Sequence, residues 1–384
     1  MIQILDKMNC VGCHACYSCC PLKCITMEED SEGFRYPRVD QNVCINCKKC
    51  EKVCPVTQKS VIQEFSEVSF AAYSKDEKIR NSSSSGGIFS AMAQIVLKRG
   101  GVVFGAAFDN EFQVHHIKVD SIDNLEKLRG SKYVQSRIEN TFKEAKAILE
   151  SGKEVYFSGT PCQIDGFKNY LGREYNNLIT QDIICHGVSA PYVWGKYLDS
   201  VRNKMNSEIK QVSFRDKLLG WRKYSVKIEG SNGKVEISTF LDNPMMKAYL
   251  RDMCLRPSCY FCPSKGVKRS SDLTLADFWN VSEFIDDFDD DRGADLVVCH
   301  SSKGLRLLHE AWSGIVCQEV NMRAAYENIP MNNSPKLPAN RNNFVELLRK
   351  STFTEAVKEY CMIPMYEKII TKIKLISKKI IRRK

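Results

Sequence analysis

"CVGCHACYSCCP" (Cys10–Pro21) and "CINCKKCEKVCP" (Cys44–Pro55) share one form, Cys-x-x-Cys-x-x-Cys-x-x-x-Cys-Pro, written twice in the first 55 residues. An internal repeat with this many thiols implies a metal site in each copy. Three cysteines spaced by two residues let a single tight loop reach three corners of a cubane, while the fourth, three residues further on, points away. The proline after each run ends the short helix that follows the loop and turns the chain. Zinc is the natural competitor for C-x-x-C pairs, but it takes four ligands per site, usually from two knuckles with a longer spacer. The doubled run fits iron and sulfur better.

Residues 1–58 therefore resemble a two-cluster, bacterial-type ferredoxin domain. In ferredoxins of this spacing the fourth cysteine serves the other cluster. That assigns Cys10, Cys13, Cys16 and Cys54 to one 4Fe–4S cluster, and Cys44, Cys47, Cys50 and Cys20 to its neighbour. Cys19 and Cys24 fall off the pattern and read as spectators, and His14 reads as a solvent-facing loop residue. Two clusters this close pass single electrons rather than perform chemistry.

The whole sequence is consistent with such a module attached to a larger body. Ten of the 18 cysteines precede Pro55, and the other eight are spread over the rest of the 384 residues. With 43% hydrophobic residues the chain can build proper cores. Neither a secretory signal nor an apolar run long enough to span a bilayer is evident, so a soluble, cytoplasmic protein with reduced thiols is expected. A secreted disulfide scaffold is disfavoured on the same grounds.

After "VTQKSVIQEFSEV" (56–68), read as a linker, short β-rich runs alternate with helical patterns. "FAAYS" (70–74), "GVVFGAAF" (101–108), "EFQVHHIKV" (111–119) and "NLITQDIIC" (177–185) read as strands. "SSSSGGIFSAMAQIVLKRG" (82–100) reads as a serine-rich turn and glycines followed by a helix ending at Gly100, "NTFKEAKAILESG" (140–152) as a helix closed by glycine, and "EVYFSGTPCQIDGFKNYLG" (154–172) as strand, turn, helix. The expected fold class is a mixed α/β body behind the small ferredoxin domain, with a C-terminal helix; the strand order does not follow from these runs. The expected divisions are 1–58, 59–150 and 151–345, the last carrying a further cluster, and a helical tail over 346–384.

Three turns in the body suggest ligand contacts, although each also reads as ordinary loop structure. Ser82 to Gly87 offers hydroxyls and backbone N–H groups at a helix start, which suits a phosphate. "LRGSKYVQS" (128–136) places Arg129, Lys132 and Tyr133 around a glycine. "SGTPC" (158–162) follows a buried strand and precedes a helix, where ligands sit in α/β proteins. Cys259-x-x-Cys262-Pro263 repeats the knuckle, with Cys254 upstream, and Cys162 and Cys185 each end a predicted strand. Convergence of these on one sheet edge suggests a third cluster; the bland alternative is buried cysteines acting as small hydrophobes.

At these residues the chain resembles the coenzyme F420 hydrogenase/dehydrogenase beta-subunit family, iron–sulfur flavoproteins that often carry a fused ferredoxin. The match spans residues 1 to 350. It rests on "SSSGGIFSA" (83–91), "LRGSKYVQS", "FSGTPCQIDGFKNYL" (157–171), "ICHGVSAP" (184–191), "SFRDKLLGW" (213–221), "CLRPSCYFCPSKGVKRSSDLTLADFW" (254–279) and "PMNNSPKLPANRNNF" (330–344). The resemblance implies FAD and a third 4Fe–4S cluster with Cys162, Cys185, Cys259 and Cys262 as ligands, Cys254 being the reserve. It carries FAD contacts to Ser84, Ser85, Gly86 and Gly87, to Arg129, Gly130, Ser131, Lys132 and Tyr133, and to Gly159, Thr160 and Pro161. Lys265 and Arg269 are the implied phosphate partners. His186 is a candidate proton donor, with a structural hydrogen bond near the cluster as the alternative. The implied activity is a flavin-dependent oxidoreductase that moves electrons between the clusters and FAD to reduce or oxidise an organic substrate or coenzyme. A non-catalytic electron-transfer subunit of a larger redox complex is the runner-up. Coenzyme F420 stays open as that coenzyme: the "CLRPSCYFCPSKG" form is similar to bacterial members associated with surface-polysaccharide synthesis, which need not use it, and no residue set decides between them. A redox partner protein, ferredoxin or enzyme subunit, is expected.

Of the formal net charge of +10, eight Lys or Arg lie between Lys368 and Lys384 with no acidic residue, which leaves about +2 for the rest. Ile369, Ile370, Ile373, Ile376, Ile380 and Ile381 share one helical face there. A basic amphipathic helix suits an anionic membrane surface, here the inner face of the membrane, or an acidic partner; the alternative is a terminal helix packed on the body. Nucleic-acid binding is not expected, since aromatic residues are not interleaved with the charges. The acidic run 286–291 reads as a solvated loop.

Overall fold

The computed structural model describes residues 1–362; the basic stretch from Lys368 to Lys384 and its expected helix lie outside them. Within the first 58 residues the repeat read in the sequence is also a repeat of backbone. Gly12 and Asn46, at equivalent positions, have φ of 69° and 50°, and His14 and Lys48, again equivalent, have φ of 62° and 58°. Left-handed residues on both sides of the second cysteine curl each loop tightly. Three of these four are not glycine, so the curl costs about 1 kcal/mol per residue, which surrounding contacts must offset. Each loop runs into a short helix, Ala15–Cys19 or Lys49–Lys52. The antiparallel hairpin β1 (Ile25–Glu29) and β2 (Arg35–Val39) joins the two copies.

In chain order the body contains β3 (Val68–Ser74), β4 (Val102–Phe108), β5 (Val114–Val119), β6 (Val155–Gly159), β7 (Leu178–Ile183), β8 (Ile209–Asp216), β9 (Ser225–Gly230), β10 (Val235–Thr239), β11 (Leu273–Asp277), β12 (Asp295–Cys299) and β13 (Ile315–Val320). Eight of them form one mixed sheet in the order β13-β3-β12-β11-β7-β6-β4-β5. Its centre, β4, β6, β7 and β11, is parallel, and the flanking strands pair antiparallel. Strands covered on both faces read as unbroken apolar runs, as in β12, which is buried throughout. The sheet confirms the expected mixed α/β class.

Neighbouring residues of β6 show how the two faces are filled. Tyr156 joins the core with Ile88, Met92 and Val96 of the helix Ile88–Lys98, while Phe157 faces the helices Thr141–Glu150 and Pro161–Leu171. Phe157 stacks on Phe167 with ring centroids 4.4 Å apart. The antiparallel sheet β10-β9-β8, which the sequence reading left unassigned, packs with the helices Pro191–Met205, Pro244–Leu250, Arg341–Lys350 and Phe353–Tyr360 around Trp194, Phe214 and Phe344. Among the described residues no helix is long and apolar enough to cross a membrane.

The N-terminal module is wedged into this body. Phe34, from the hairpin turn, is fully buried in the core around Trp194. The Arg341 guanidinium donates to both Glu32 carboxylate oxygens at 2.6 and 3.1 Å. Arg256, only 1% exposed, donates to the Cys10 carbonyl (2.7 Å), the Arg35 carbonyl (3.0 Å) and Gln135 Oε1 (2.6 Å), and lies over the Tyr36 ring at 4.3 Å. No ion pair is found for it among the described residues, so carbonyl dipoles, a π face and the neighbouring Cys10 sulfur at 3.5 Å hold its charge.

Replacing Arg256 by alanine would leave three part-buried acceptors without that donor, at about 1 kcal/mol or more each. The midpoint of thermal unfolding of Arg256→Ala is expected to fall by roughly 5 °C or more. Arg38→Ala removes only an exposed pair with Glu28 and should shift it by about 1 °C or less.

Candidate functional site

The eight cysteines of the first module gather in two groups. Burial pushes the Cys13 thiol up, and so do its neighbours Cys54, Cys10 and Cys162; Cys16 is raised by burial and by Cys13, Cys10 and Cys54. The second group, Cys20, Cys44, Cys47 and Cys50, lines a separate cavity. Cys24, expected to be a spectator, lines that cavity too, with its sulfur 3.4 Å from that of Cys20. Cys19 stays outside it and points its thiol at the Cys16 carbonyl, 3.4 Å away. His14 is not solvent-facing. It is 4% exposed, its Nδ1 accepts the Glu139 N–H at 3.2 Å, and burial lowers its pKa to about 3.

A third cavity lies at the C-terminal edge of the parallel strands, where open α/β sheets place ligands. Cys162 follows β6 in the first turn of its helix, Cys185 follows β7, and Cys259 and Cys262 come from the segment before β11; all four line this cavity. Cys254 does not. It is fully buried in the neighbouring core beside Leu255 and Cys361, away from this cavity. Burial raises Cys185 to about 12, with Cys259 adding to the rise and Lys265 opposing it. The Thr160 hydroxyl lies 3.3 Å from the Cys162 sulfur. Among the described residues no three His, Cys, Asp or Glu side chains converge on one point as a single metal ion requires. A cubane's thiolates stand instead around a cavity, at separate corners, and the all-sulfur donor set here suits such a cluster.

Beside it opens a cleft of about 480 Å³. Ser84, Ser85, Gly87, Arg129, Gly130, Ser131, Lys132, Tyr133, Gly159 and Thr160 line it, so all three turns singled out in the sequence meet at one place. The cleft and the four-cysteine cavity share a wall made of Thr160, Gln163, Cys185, His186, Gly187 and Val188. Two observations mark the cleft as built for a ligand. Gln181 is 1% exposed and lines it, yet its Oε1 has no hydrogen-bond partner. Arg129, half-buried, donates to the Ser90 and Ser82 hydroxyls at 3.1 and 3.0 Å, and no ion pair is found for it among the described residues.

Other expected contacts are corrected. Gly86 N–H and Ile88 N–H donate to the two oxygens of the Asp295 carboxylate, at 3.1 and 2.9 Å. The protein's own anion thus fills the helix start that the sequence suggested for a phosphate. Ser84 Oγ accepts from Ser131 N–H at 2.7 Å and ties two of the turns together. Lys132, with its pKa lowered by burial to about 7, gives its hydrogens to the carbonyls of Leu128, Arg129 and Gly130. Pro161, Lys265 and Arg269 line the cysteine cavity rather than the cleft. The Lys265 ammonium donates to the Cys185 and Pro330 carbonyls, both at 2.6 Å, and Arg269 to the Ser264 carbonyl at 2.7 Å, so neither faces a phosphate.

Several residues of the cleft were missed by sequence reasoning. Arg215 is clamped by Asp277 (2.8 and 2.9 Å), donates to Tyr133 Oη at 3.1 Å and lies 4.0 Å over the Tyr224 ring. Its stretch, "SFRDKLLGW", was already noted; its role was not. His116 Nε2–H donates to the Ser158 carbonyl (3.0 Å), which leaves Nδ1 to accept from the Ser136 hydroxyl (2.6 Å), and burial lowers its pKa to about 4. His186, by contrast a candidate from the sequence, contacts Asp252 Oδ1 through Nε2 at 2.6 Å and meets Tyr249 edge-on.

The first and third cysteine groups are joined by one helix. Cys162 opens Pro161–Leu171, and Gly166, one turn on, lies so near Cys13 that a Cβ there would be 2.7 Å from its sulfur and 2.8 Å from its Cβ. Val11 of the first loop reaches the third cavity itself.

Comparison with known proteins matches residues 69–143 to the model of the N-terminal part, and residues 152–324 to that of the C-terminal part, of the coenzyme F420 hydrogenase/dehydrogenase beta subunit. Residues 9–57 match a 4Fe–4S dicluster domain. Among solved structures, a chain of the F420-reducing NiFe hydrogenase complex from Methanosarcina barkeri, in a xenon derivative, is similar at 17% identity. That alignment covers 77% of this chain and 88% of the other, with a TM-score of 0.46. No curated protein matches.

Gly166→Ala supplies a direct check. Within a helix this substitution ordinarily stabilises by up to about 1 kcal/mol, but here it should lower both the unfolding midpoint and the bound iron. Gly195→Ala, on a helix position with open space around it, should leave the iron unchanged.

Proposed function

Because the chain belongs to the coenzyme F420 hydrogenase/dehydrogenase beta-subunit family and carries a 4Fe–4S dicluster domain, we propose that it is an iron–sulfur flavoprotein oxidoreductase. In this reading Cys10, Cys13, Cys16 and Cys54 hold the inner cluster of the first module, and Cys20, Cys44, Cys47 and Cys50 the outer one. Cys162, Cys185, Cys259 and Cys262 hold a third, and FAD occupies the cleft. The observation that carries it is the wall shared by the third cysteine cavity and the cleft. A flavin, when bound, exchanges single electrons for the pairs that organic substrates require.

The chain's own residues supply placement and electrostatics. Arg129 offers a cation for an anionic part of the cofactor, and the orphaned Gln181 Oε1 offers an acceptor for a ring N–H. His186, donating through Nε2 to Asp252, keeps Nδ1 as its proton-accepting atom at the shared wall. Lys265 and Arg269 act near the third cavity instead of on a phosphate: both oppose the rise in pKa of Cys185 and Cys262, and so favour their thiolates. A redox partner protein would exchange electrons with the first module, and an organic substrate or coenzyme would meet the cleft.

Anaerobic analysis of iron, sulfide and flavin tests the reading. About twelve irons and one FAD per chain are expected, and Cys162→Ser or Cys259→Ser should retain about eight irons. Eight irons in the unaltered protein would remove the third cluster, and the absence of flavin would overturn the function. Arg129→Met is expected to weaken flavin retention roughly ten-fold.

A further inference from the structure

The two cysteine groups of the first module differ in what covers them. Cys13, Cys16 and Cys54 are buried, with Gly166 and Arg256 of the body against their loop. In the other group Cys47 is exposed and Cys44 and Cys20 are half-buried. Large apolar side chains stand open around that second cavity. Leu22 and Ile45, 44% and 67% exposed, line it, and Val43 lies beside it.

Cations outnumber acids at this face. Lys48 and Lys49 line the second cavity and Lys23 the groove next to it, all three exposed. No ion pair is found for any of them among the described residues. Of the nearby acids, Glu51 pairs with the N-terminal ammonium at 2.6 Å and Glu28 with Arg38 at 3.2 Å, while Asp40, exposed in the groove, accepts the Asn42 N–H at 3.0 Å. Lys23 and Lys48 are held at φ of 54° and 58°, so the backbone that presents them is fixed by the cysteine loops.

We propose that this face is the docking surface of an acidic one-electron carrier protein of the ferredoxin class. An apolar centre with unpaired cations around it is complementary to carboxylates around an exposed cluster, and such charges steer encounter. A second copy of the chain would bring like charge against like charge. In the exchange one electron passes between the carrier's cluster and the one held by Cys20, Cys44, Cys47 and Cys50; one partner is oxidised by one electron, the other reduced, and no atom is transferred. The inference rests on the cluster assignment proposed above.

The test is zero-length carbodiimide cross-linking of the full anaerobic chain to an acidic two-cluster bacterial ferredoxin, mapped by mass spectrometry. Cross-links are expected at Lys23, Lys48 and Lys49. A Lys23→Glu/Lys48→Glu/Lys49→Glu variant with unchanged iron should bind that ferredoxin at least ten-fold more weakly at low salt, as the unaltered chain should between about 20 and about 300 mM salt. Cross-links confined to Lys368–Lys384 would overturn the inference. So would unchanged affinity, or a variant that loses only binding to anionic phosphatidylglycerol vesicles. Because the cross-linking uses the unaltered chain, a variant that fails to fold does not decide the matter. A full iron content with cross-links elsewhere would defeat the docking face alone, whereas missing iron would defeat the cluster assignment beneath it.

Discussion

A missing side chain sets the spacing of everything else. At Gly166 the helix Pro161–Leu171 lets the sulfur of Cys13 come within a distance that any Cβ would forbid, while the same helix holds Cys162 in its first turn. The helix starts at the C-terminal end of β6, in the parallel centre of the sheet, so its position is fixed by strand pairing rather than by a loop. Together with the contacts of Phe34, Arg341 and Arg256, this approach brings the first module to the edge where β6 and β7 deliver Cys162 and Cys185. Electron transfer between separate centres depends on such proximity, and here rigid elements supply it.

Burying so many thiols carries an electrostatic cost. Cys13, Cys16, Cys162 and Cys185 are all pushed up by burial, which favours the neutral thiol that cannot ligate. Around the third cavity, at Cys185, Cys259 and Cys262, buried or half-buried cations counter this. Arg256 stands next to Cys10 and Cys259, and Lys265 and Arg269 next to Cys185 and Cys262. A cluster bound at these sites would have to displace those protons, and the neighbouring cations would lower that barrier.

What was legible in the sequence divides along the same physical line. The repeated cysteine spacing and the strand and helix runs from 70 to 185 were readable because both depend on local periodicity. The small sheet β10-β9-β8 was not recognised. The capping of the helix start at Gly86 by Asp295 joins residues 209 apart, and the placement of Arg215 against Asp277 depends on where β11 falls in the sheet; neither has a local signature. Lys265 and Arg269 were implied as phosphate partners by the family resemblance alone, whereas carbonyls near the cysteines take their hydrogens. Cys24 lay off the repeat and yet lines the second cavity, because the turn after Cys20 folds it back.

The central claim is that the four-cysteine cavity relays electrons through the wall it shares with the cleft. Stopped-flow reduction of the bound flavin by a reduced ferredoxin, without oxygen, compares the unaltered chain with Cys259→Ser. If the claim holds, the clusters of the first module are reduced at the same rate in both, while flavin reduction slows by about a hundred-fold or more in the variant. Flavin reduction at an unchanged rate in a variant that has lost about four irons would contradict it.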